Sequence, residues 1–286
     1  LKWLNLTGGN VGGGYGGSIY VYQEAAHLNI SHCVFFNNHA AYGGAVSALY
    51  LQPILFFFSV LFDSNTALGD GGGVYLLRGT LHSQRDTFQN NTAGGWGGAM
   101  FINKGSTVAS TASTFEKNRA GEGGGGIRIY GTLTPDPDPT QVNLTRVQWI
   151  ENKQTNNAAT YYRGGGGLYL DRKVTVNIRE CTFVQNEATT ESSGDKHGHQ
   201  IMTRETSSEI PSVTLVNTQF KDLAGSHPFY GCNGAANTHG AEIYISPTNC
   251  TSNPCSVPPF TGGCFPSASE KQGVFCDYDN SIACAA

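Results

Sequence analysis

The side chains of this chain best suited to chemistry are its carboxylates, histidines, sequon asparagines and cysteines. Paired carboxylates can act as general acid and base on a glycosidic bond, and clustered acids can hold Ca²⁺. Here Asp63, Asp70, Asp86, Asp136, Asp138, Asp171, Asp195 and Asp222 are scattered, and no Asp-Asp or Asn-Thr-Asp run occurs among them. Asp136 and Asp138 alternate with prolines, where a solvated loop competes with a weak Ca²⁺ site. His197 and His199 flank Gly198, and His239 stands in a similar context further on; they read as corner residues in preference to metal ligands. The glycine-rich runs Gly121–Gly126 and Gly164–Gly167 lack the Lys-Ser/Thr that a phosphate loop needs. No catalytic residue, metal site or cofactor is therefore expected.

Covalent chemistry is better represented. Asn-x-Ser/Thr sequons stand at Asn5, Asn29, Asn90, Asn143 and Asn249, so N-linked glycans are expected. Of the 8 cysteines, Cys33 and Cys181 lie in the body of the chain. Cys232, Cys250, Cys255, Cys264, Cys276 and Cys284 crowd its last quarter. With no C-x-x-C spacing these read as a disulfide framework in an oxidising compartment, its pairing left open.

Composition narrows the field of partners. Charged residues are 13 % of the 286, net charge is −4 and there is no basic stripe, which argues against nucleic acid. No apolar run reaches the roughly 18 residues of a membrane-spanning helix. The chain begins at Leu1 without Met and reads as a processed chain or a piece of a longer one.

What positions the candidate residues is a repeat. An aromatic recurs at Phe35, Phe62, Phe88, Phe115, Trp149, Phe183 and Phe220. An asparagine stands three residues after all but the last of them: Asn38, Asn65, Asn91, Asn118, Asn152 and Asn186. Between these come Gly16-Gly17, Gly43-Gly44, Gly72-Gly73, Gly97-Gly98, Gly125-Gly126 and Gly166-Gly167. Each glycine pair precedes a short alternating run, as in Val74/Leu76 and Ile127/Ile129, and period two means strand. Before each aromatic the apolar spacing runs two, then three, as in Ile178, Cys181 and Phe183, which predicts a one-residue kink between two strands.

About three strands per repeat cannot bury a core alone, so the repeats must stack, each strand on its equivalent in the next. The expected fold is all-β, a parallel β-helix of about seven to eight coils. Stacking turns the aromatics into an internal column and the asparagines into a ladder of amides. The asparagine also suits a left-handed corner, and the glycines a corner with no room for Cβ. Residues 1–230 form the repeats; residues 231–286 hold the last coil and a Cys-rich cap. Cys33 and Cys181 share a column too many coils apart to pair, so both should be buried free thiols. Loops are expected at Thr132–Gln141, Gln154–Arg163 and Glu187–Lys196. Asn29 and Asn143 should point to solvent from equivalent places. One column faces outward beside the glycine-led strands: Tyr20, Ser47, Tyr75, Phe101, Arg128, Tyr169, Met202 and Tyr244. Tyr20, Tyr75, Phe101, Tyr169 and Tyr244 there could stack on sugar rings, pack on a neighbouring subunit, or be covered by the molecule's own loops.

The Phe-x-x-Asn motifs with the glycine pairs between them resemble the repeats of chlamydial polymorphic outer membrane proteins, of the pectin-lyase-like class, which implies a right-handed parallel β-helix. The resemblance covers residues 1–245 and implies a surface-exposed or secreted, adhesin-like or structural protein. The expected function is a non-catalytic, secreted or cell-surface glycoprotein, self-associating head-to-tail into a fibre or coat. The alternatives are a polysaccharide lyase or hydrolase, or a carbohydrate-binding module, on the same scaffold.

Overall fold

The computed structural model describes residues 1–22, 26–50, 52–131, 139–155, 164–188, 200–204, 212–221, 243–246 and 274–276. One coil runs Val46–Leu49, Ile54–Phe58, Leu61–Asp63 and Thr66–Ala67. The next repeats it as Val74–Leu77, Thr80–Gln84, Thr87–Gln89 and Thr92–Ala93. Among the described residues, stacking equivalent strands builds four sheets of nine, seven, eight and six strands, in which neighbouring strands are parallel and in register. The molecule is a right-handed parallel β-helix. A coil holds four strands, one more than the sequence pattern suggests. The extra strand is only two residues long, too short to display a period, and its second residue turns inward at Ala40, Ala67, Ala93, Ala120 and Ala188.

The aromatic column is an internal stack. Phe35, Phe62, Phe88, Phe115, Trp149 and Phe183 lie ring on ring with centroids 4.4–5.8 Å apart, all fully buried. That spacing is the coil rise, which holds the rings face to face although offset or edge contacts are intrinsically preferred.

The asparagine ladder forms as expected. Each Nδ2 donates to the Oδ1 of the next asparagine at 2.8–2.9 Å, from Asn38 through to Asn186. From Asn65 onward the second Nδ2 proton goes to a carbonyl at the aromatic column, Phe35, Phe62, Phe88, Phe115 and Trp149 in turn. Each ladder Oδ1 from Asn65 on also accepts the backbone N–H of the preceding asparagine. The ladder ends on Gln200 Oε1. Buried amides are tolerated because their groups are paired coil to coil.

The corners differ from expectation in one detail. The left-handed residue is the one before each ladder asparagine: Asn37, Ser64, Asn90, Lys117, Glu151 and Gln185. The ladder asparagine turns its side chain inward, while its exposed or half-buried predecessor takes the bend. The one-residue kink is present at His32, Ser59, Arg85, Ala112, Arg146, Glu180 and Asn217, each with φ between 49° and 56°. At the glycine corner the left-handed residues are Gly16, Gly43, Gly71, Gly97, Gly124 and Gly165, so where three or more glycines run together the pair begins one residue earlier than the sequence alignment places it.

Strands Ile243–Ser246 and Val274–Cys276 add two rungs to the nine-stranded sheet beyond residue 230. Cys33 and Cys181 are buried and free, and burial pushes the Cys181 thiol up to about 11. Cys232, Cys250, Cys255, Cys264 and Cys284 lie outside the described residues, as do the three expected loops for the most part. Among the described residues no helix is long and apolar enough to cross a membrane.

Candidate functional site

The outward column exists as a register. Tyr20, Ser47, Tyr75, Phe101, Arg128, Tyr169, Met202 and Tyr244 are Cα partners from coil to coil. Its exposure does not hold along its length. Tyr75, Phe101, Tyr169 and Met202 are buried, which corrects the expectation of solvent-facing contact residues there. They sit outside the main core in two small satellite clusters, against Leu49, Leu77, Tyr42, Trp96 and Tyr130. The cover comes partly from the residue just before the glycine corner, which is aromatic at Tyr15, Tyr42 and Trp96. That recurrence was readable in the sequence and was missed.

Arg128 belongs to this second layer. Its guanidinium carbon lies 3.6 Å from the Trp96 ring centroid, and Nη2 donates to Asp171 Oδ2 at 2.6 Å. Both partners are buried, with Phe101 and Tyr169 near the guanidinium. Asp70 accepts the backbone N–H of Trp96 at 2.9 Å, and burial raises its pKa. Arg128, held by the buried Asp171, packs on the covering indole, while the half-buried Asp70 anchors the backbone of the same residue.

Asp86 stands in the inward column between Val60 and Ser113 and is fully enclosed. Its Oδ1 accepts the Val60 N–H at 2.8 Å and its Oδ2 accepts the Ser83 hydroxyl at 2.6 Å. Burial pushes its pKa up to about 6 against these bonds. A raised folded-state pKa stabilises below the unfolded value near 4, and the contribution is lost as pH rises through 6; the full span is worth about 3 kcal/mol. Asp86→Asn keeps an acceptor for Val60 and gains a donor for Ser83. Its thermal midpoint should exceed that of the parent at pH 8, and the difference should shrink as pH falls to 4. Parallel melting curves across that range would show that Asp86 does not titrate in this way.

The sequons Asn5, Asn29, Asn90 and Asn143 are all exposed, and Asn249 lies outside the described residues. Asn29 and Asn143 share one outward column, with Phe56, His82 and Ala109 between them. Asn143 Oδ1 accepts Asn177 Nδ2 at 2.8 Å, while Asn90 Nδ2 donates to Asp63 Oδ1 at 3.1 Å. Hydrogen bonds from Asn90, Gln89 and Ser64 hold Asp63 below the usual carboxylate range, although its partial burial acts the other way as the largest single influence. Asp136, Asp138, Asp195, Asp222, His197, His199 and His239 lie outside the described residues.

Where the outward column leaves its cover, aromatic surface emerges. Tyr15, Tyr20, Tyr22 and Tyr50 are 39, 46, 57 and 48 % exposed. Tyr15 stacks on both Tyr20 and Tyr42, at 5.5 and 5.3 Å, Tyr20 stacks on Tyr22 at 5.7 Å, and Tyr50 meets the Tyr22 ring edge-on. Partial burial and the neighbouring phenols raise the Tyr20 pKa. A groove of about 660 Å³ adjoins them, lined by Tyr50, Tyr75, Leu77, Arg78, Asn103 and Lys104. Tyr75 forms its floor, with its hydroxyl accepting Asn103 Nδ2 at 2.8 Å, and burial pushes its pKa up to about 12. A second groove, of about 270 Å³, runs along the two-residue strands beside Lys117 and Lys153. These lysines already pair with Glu116 and Glu187 at 3.0 and 2.9 Å.

Stacked short coils with a wholly internal motif and an aromatic outer patch define a parallel β-helical repeat protein. The family model of the Chlamydia polymorphic membrane protein repeat matches residues 59–76 and 112–130. Each match runs from a left-handed kink through the aromatic, the ladder asparagine and the glycine corner to the strand beyond, so these repeats are of that type. No curated protein and no solved structure matches the chain.

Proposed function

We propose that the protein is a non-catalytic, adhesin-like β-helix of a cell surface or extracellular coat, which binds glycans through its tyrosine platform. One observation carries the reading. The repeated motif is consumed by internal stacking, and Tyr15, Tyr20, Tyr22 and Tyr50 are left stacked on one another and open to solvent. Flat phenol faces suit the apolar faces of sugar rings, and their hydroxyls stay wet. The match to a repeat of polymorphic membrane proteins supports a surface role.

Binding of the purified protein to immobilised polysaccharides tests this. The combined Tyr20→Ala, Tyr22→Ala and Tyr50→Ala variant should lose about tenfold or more in affinity, since stacked aromatic contacts contribute about 1 kcal/mol each. Its thermal midpoint should stay close to the parent's because these rings lie outside both the core and its satellite layer. Undiminished binding by a folded triple variant would remove the platform from the adhesive role.

A further inference from the structure

Beyond glycan binding, and without resting on it, we infer that the tyrosine patch is a site of oxidative cross-linking, at which a second copy of the chain is joined through a carbon–carbon bond between phenol rings. Among the described side chains, each exposed tyrosine belongs to this one patch: Tyr15, Tyr20, Tyr22 and Tyr50. Tyr42 and Tyr130 are half-buried, and Tyr75 and Tyr169 are covered. After partial burial, the phenols of Tyr22, Tyr15 and Tyr50 each help to raise the Tyr20 pKa, which puts the hydroxyls of the patch in one neighbourhood. A phenol gives up an electron readily only as its proton leaves, and these exposed side chains border water that can take it.

The oxidant is hydrogen peroxide, acting through a haem peroxidase. It takes one electron and one proton from each of two phenols, the peroxide O–O bond breaks and two waters form. The two phenoxyl radicals join at ring carbons beside their hydroxyls. The hydrogen on each joined carbon then moves to its own phenol oxygen, which restores both aromatic rings. The reacting carbons must meet edge to edge. Within the patch the rings meet otherwise: Tyr15 lies on Tyr20 and Tyr20 on Tyr22 with planes 16° and 28° apart, and Tyr22 meets Tyr50 at 89°. None of these contacts aligns two reacting carbons, so the bond forms with a ring of another copy, whose patch presents the same phenols. Patch on patch is a self-complementary contact, and several phenols per copy allow more than one bond. The stack, at 5.5 and 5.7 Å between centroids, also lets an electron pass from ring to ring, so oxidation of any one supplies the ring that meets the partner.

Treatment of the purified full chain with a haem peroxidase and hydrogen peroxide tests the inference. Covalent dimers and larger species should appear on denaturing gels, with the blue fluorescence of dityrosine. The dimer should have the mass of two chains less two hydrogens, and peptide mapping should place both ends of the bond at Tyr15, Tyr20, Tyr22 or Tyr50. Tyr15→Phe, Tyr20→Phe, Tyr22→Phe and Tyr50→Phe together keep the rings and remove the hydroxyls. That combined variant should lose the covalent dimer and keep the parent's melting curve. Tyr42→Phe with Tyr130→Phe should cross-link as the parent does. Undiminished dimers in the combined variant, an equal loss in the Tyr42/Tyr130 variant, or a main product joined at any other tyrosine overturns the inference. So does a bond formed only within one chain, or no product under conditions that couple free tyrosine. A parent that cross-links but binds no polysaccharide removes the glycan reading alone; one that binds polysaccharide and forms no dimer removes the cross-linking alone.

Discussion

Gly98→Ala is expected to break the rod, whereas Gly73→Ala, the same change one position along an equivalent corner, is expected to be tolerated. A Cβ on Gly98 would collide with the Gly125 carbonyl oxygen and stand 2.6 Å from the backbone of Arg119. Neither obstacle is a side-chain end that can swing away. Relief requires moving two coils apart, and that breaks their hydrogen bonds, including Gly98 N–H to the Gly124 carbonyl and Ala99 N–H to that of Gly126. A cost of several kcal/mol consumes much of a typical stability of about 5–15 kcal/mol. A Cβ on Gly73 meets the Ala99 carbonyl oxygen at 2.9 Å and otherwise keeps clear contacts, and Ala45 and Ala99 already occupy that place. Urea titration followed by β-sheet circular dichroism, with limited proteolysis to locate the break, gives the comparison. Equal midpoints for the two variants would show that the corner is far more pliable than the static contacts indicate.

Asn91→Leu should be comparably severe for a different reason. Asn91 Oδ1 accepts both the backbone N–H and the Nδ2 of Asn65 at 3.0 and 2.9 Å, and its own Nδ2 serves the Phe62 carbonyl and Asn118 Oδ1. Leucine fills the volume and answers none of these. At about 1–3 kcal/mol for each buried group left without a partner, the loss is about 5 kcal/mol. Asn91→Asp separates pairing from shape. It keeps the acceptor but sets an oxygen against the Phe62 carbonyl and Asn118 Oδ1, so it should also fail at neutral pH. A midpoint within about 1 kcal/mol of the parent for either variant would mean that the ladder contributes no more than an average hydrogen bond.

Much of the architecture was legible because side-chain type was repeated. The ring column, the amide ladder and the glycine corner each require one kind of residue at one place in every coil, so Phe62 and Asn65 announce themselves through Phe88 and Asn91, and the glycine corner shows to within one residue, at Gly71 where the alignment points to Gly72. The kink was legible only as spacing. His32, Ser59, Arg85, Ala112 and Glu180 share a left-handed backbone and nothing else, because solvent takes whatever side chain the corner carries. The platform was half legible. Alternation put Tyr20, Tyr75, Phe101 and Tyr169 on one outward column, and the register agrees. Alternation says only that a side chain leaves the coil. Whether it meets water depends on a neighbouring corner, and Tyr42 and Trp96 reach over the middle of the column but not over Tyr20. The Arg128–Asp171 pair was hidden for the same reason, since its partners are far apart in sequence and meet only in the layer outside the coil.

The amide ladder has a direction. Every link donates toward the later coil and accepts from the earlier, so each rung presents its successor with the same N–H donors that it met itself. A chain built on this rule lengthens or shortens by whole turns. Duplicating one turn adds one aromatic, one amide and one glycine corner and leaves both flanking joints chemically as they were, whereas deleting half a turn puts a glycine beneath an asparagine. Extra residues are admitted between strands, outside the columns. Lys153 still meets Glu187 and Tyr130 still meets Asp171 although the intervening stretches exceed those of the earlier turns. The length of the rod and the character of its outer face are therefore separable traits: the first is set by how many turns are present, the second by a few corner residues on particular ones.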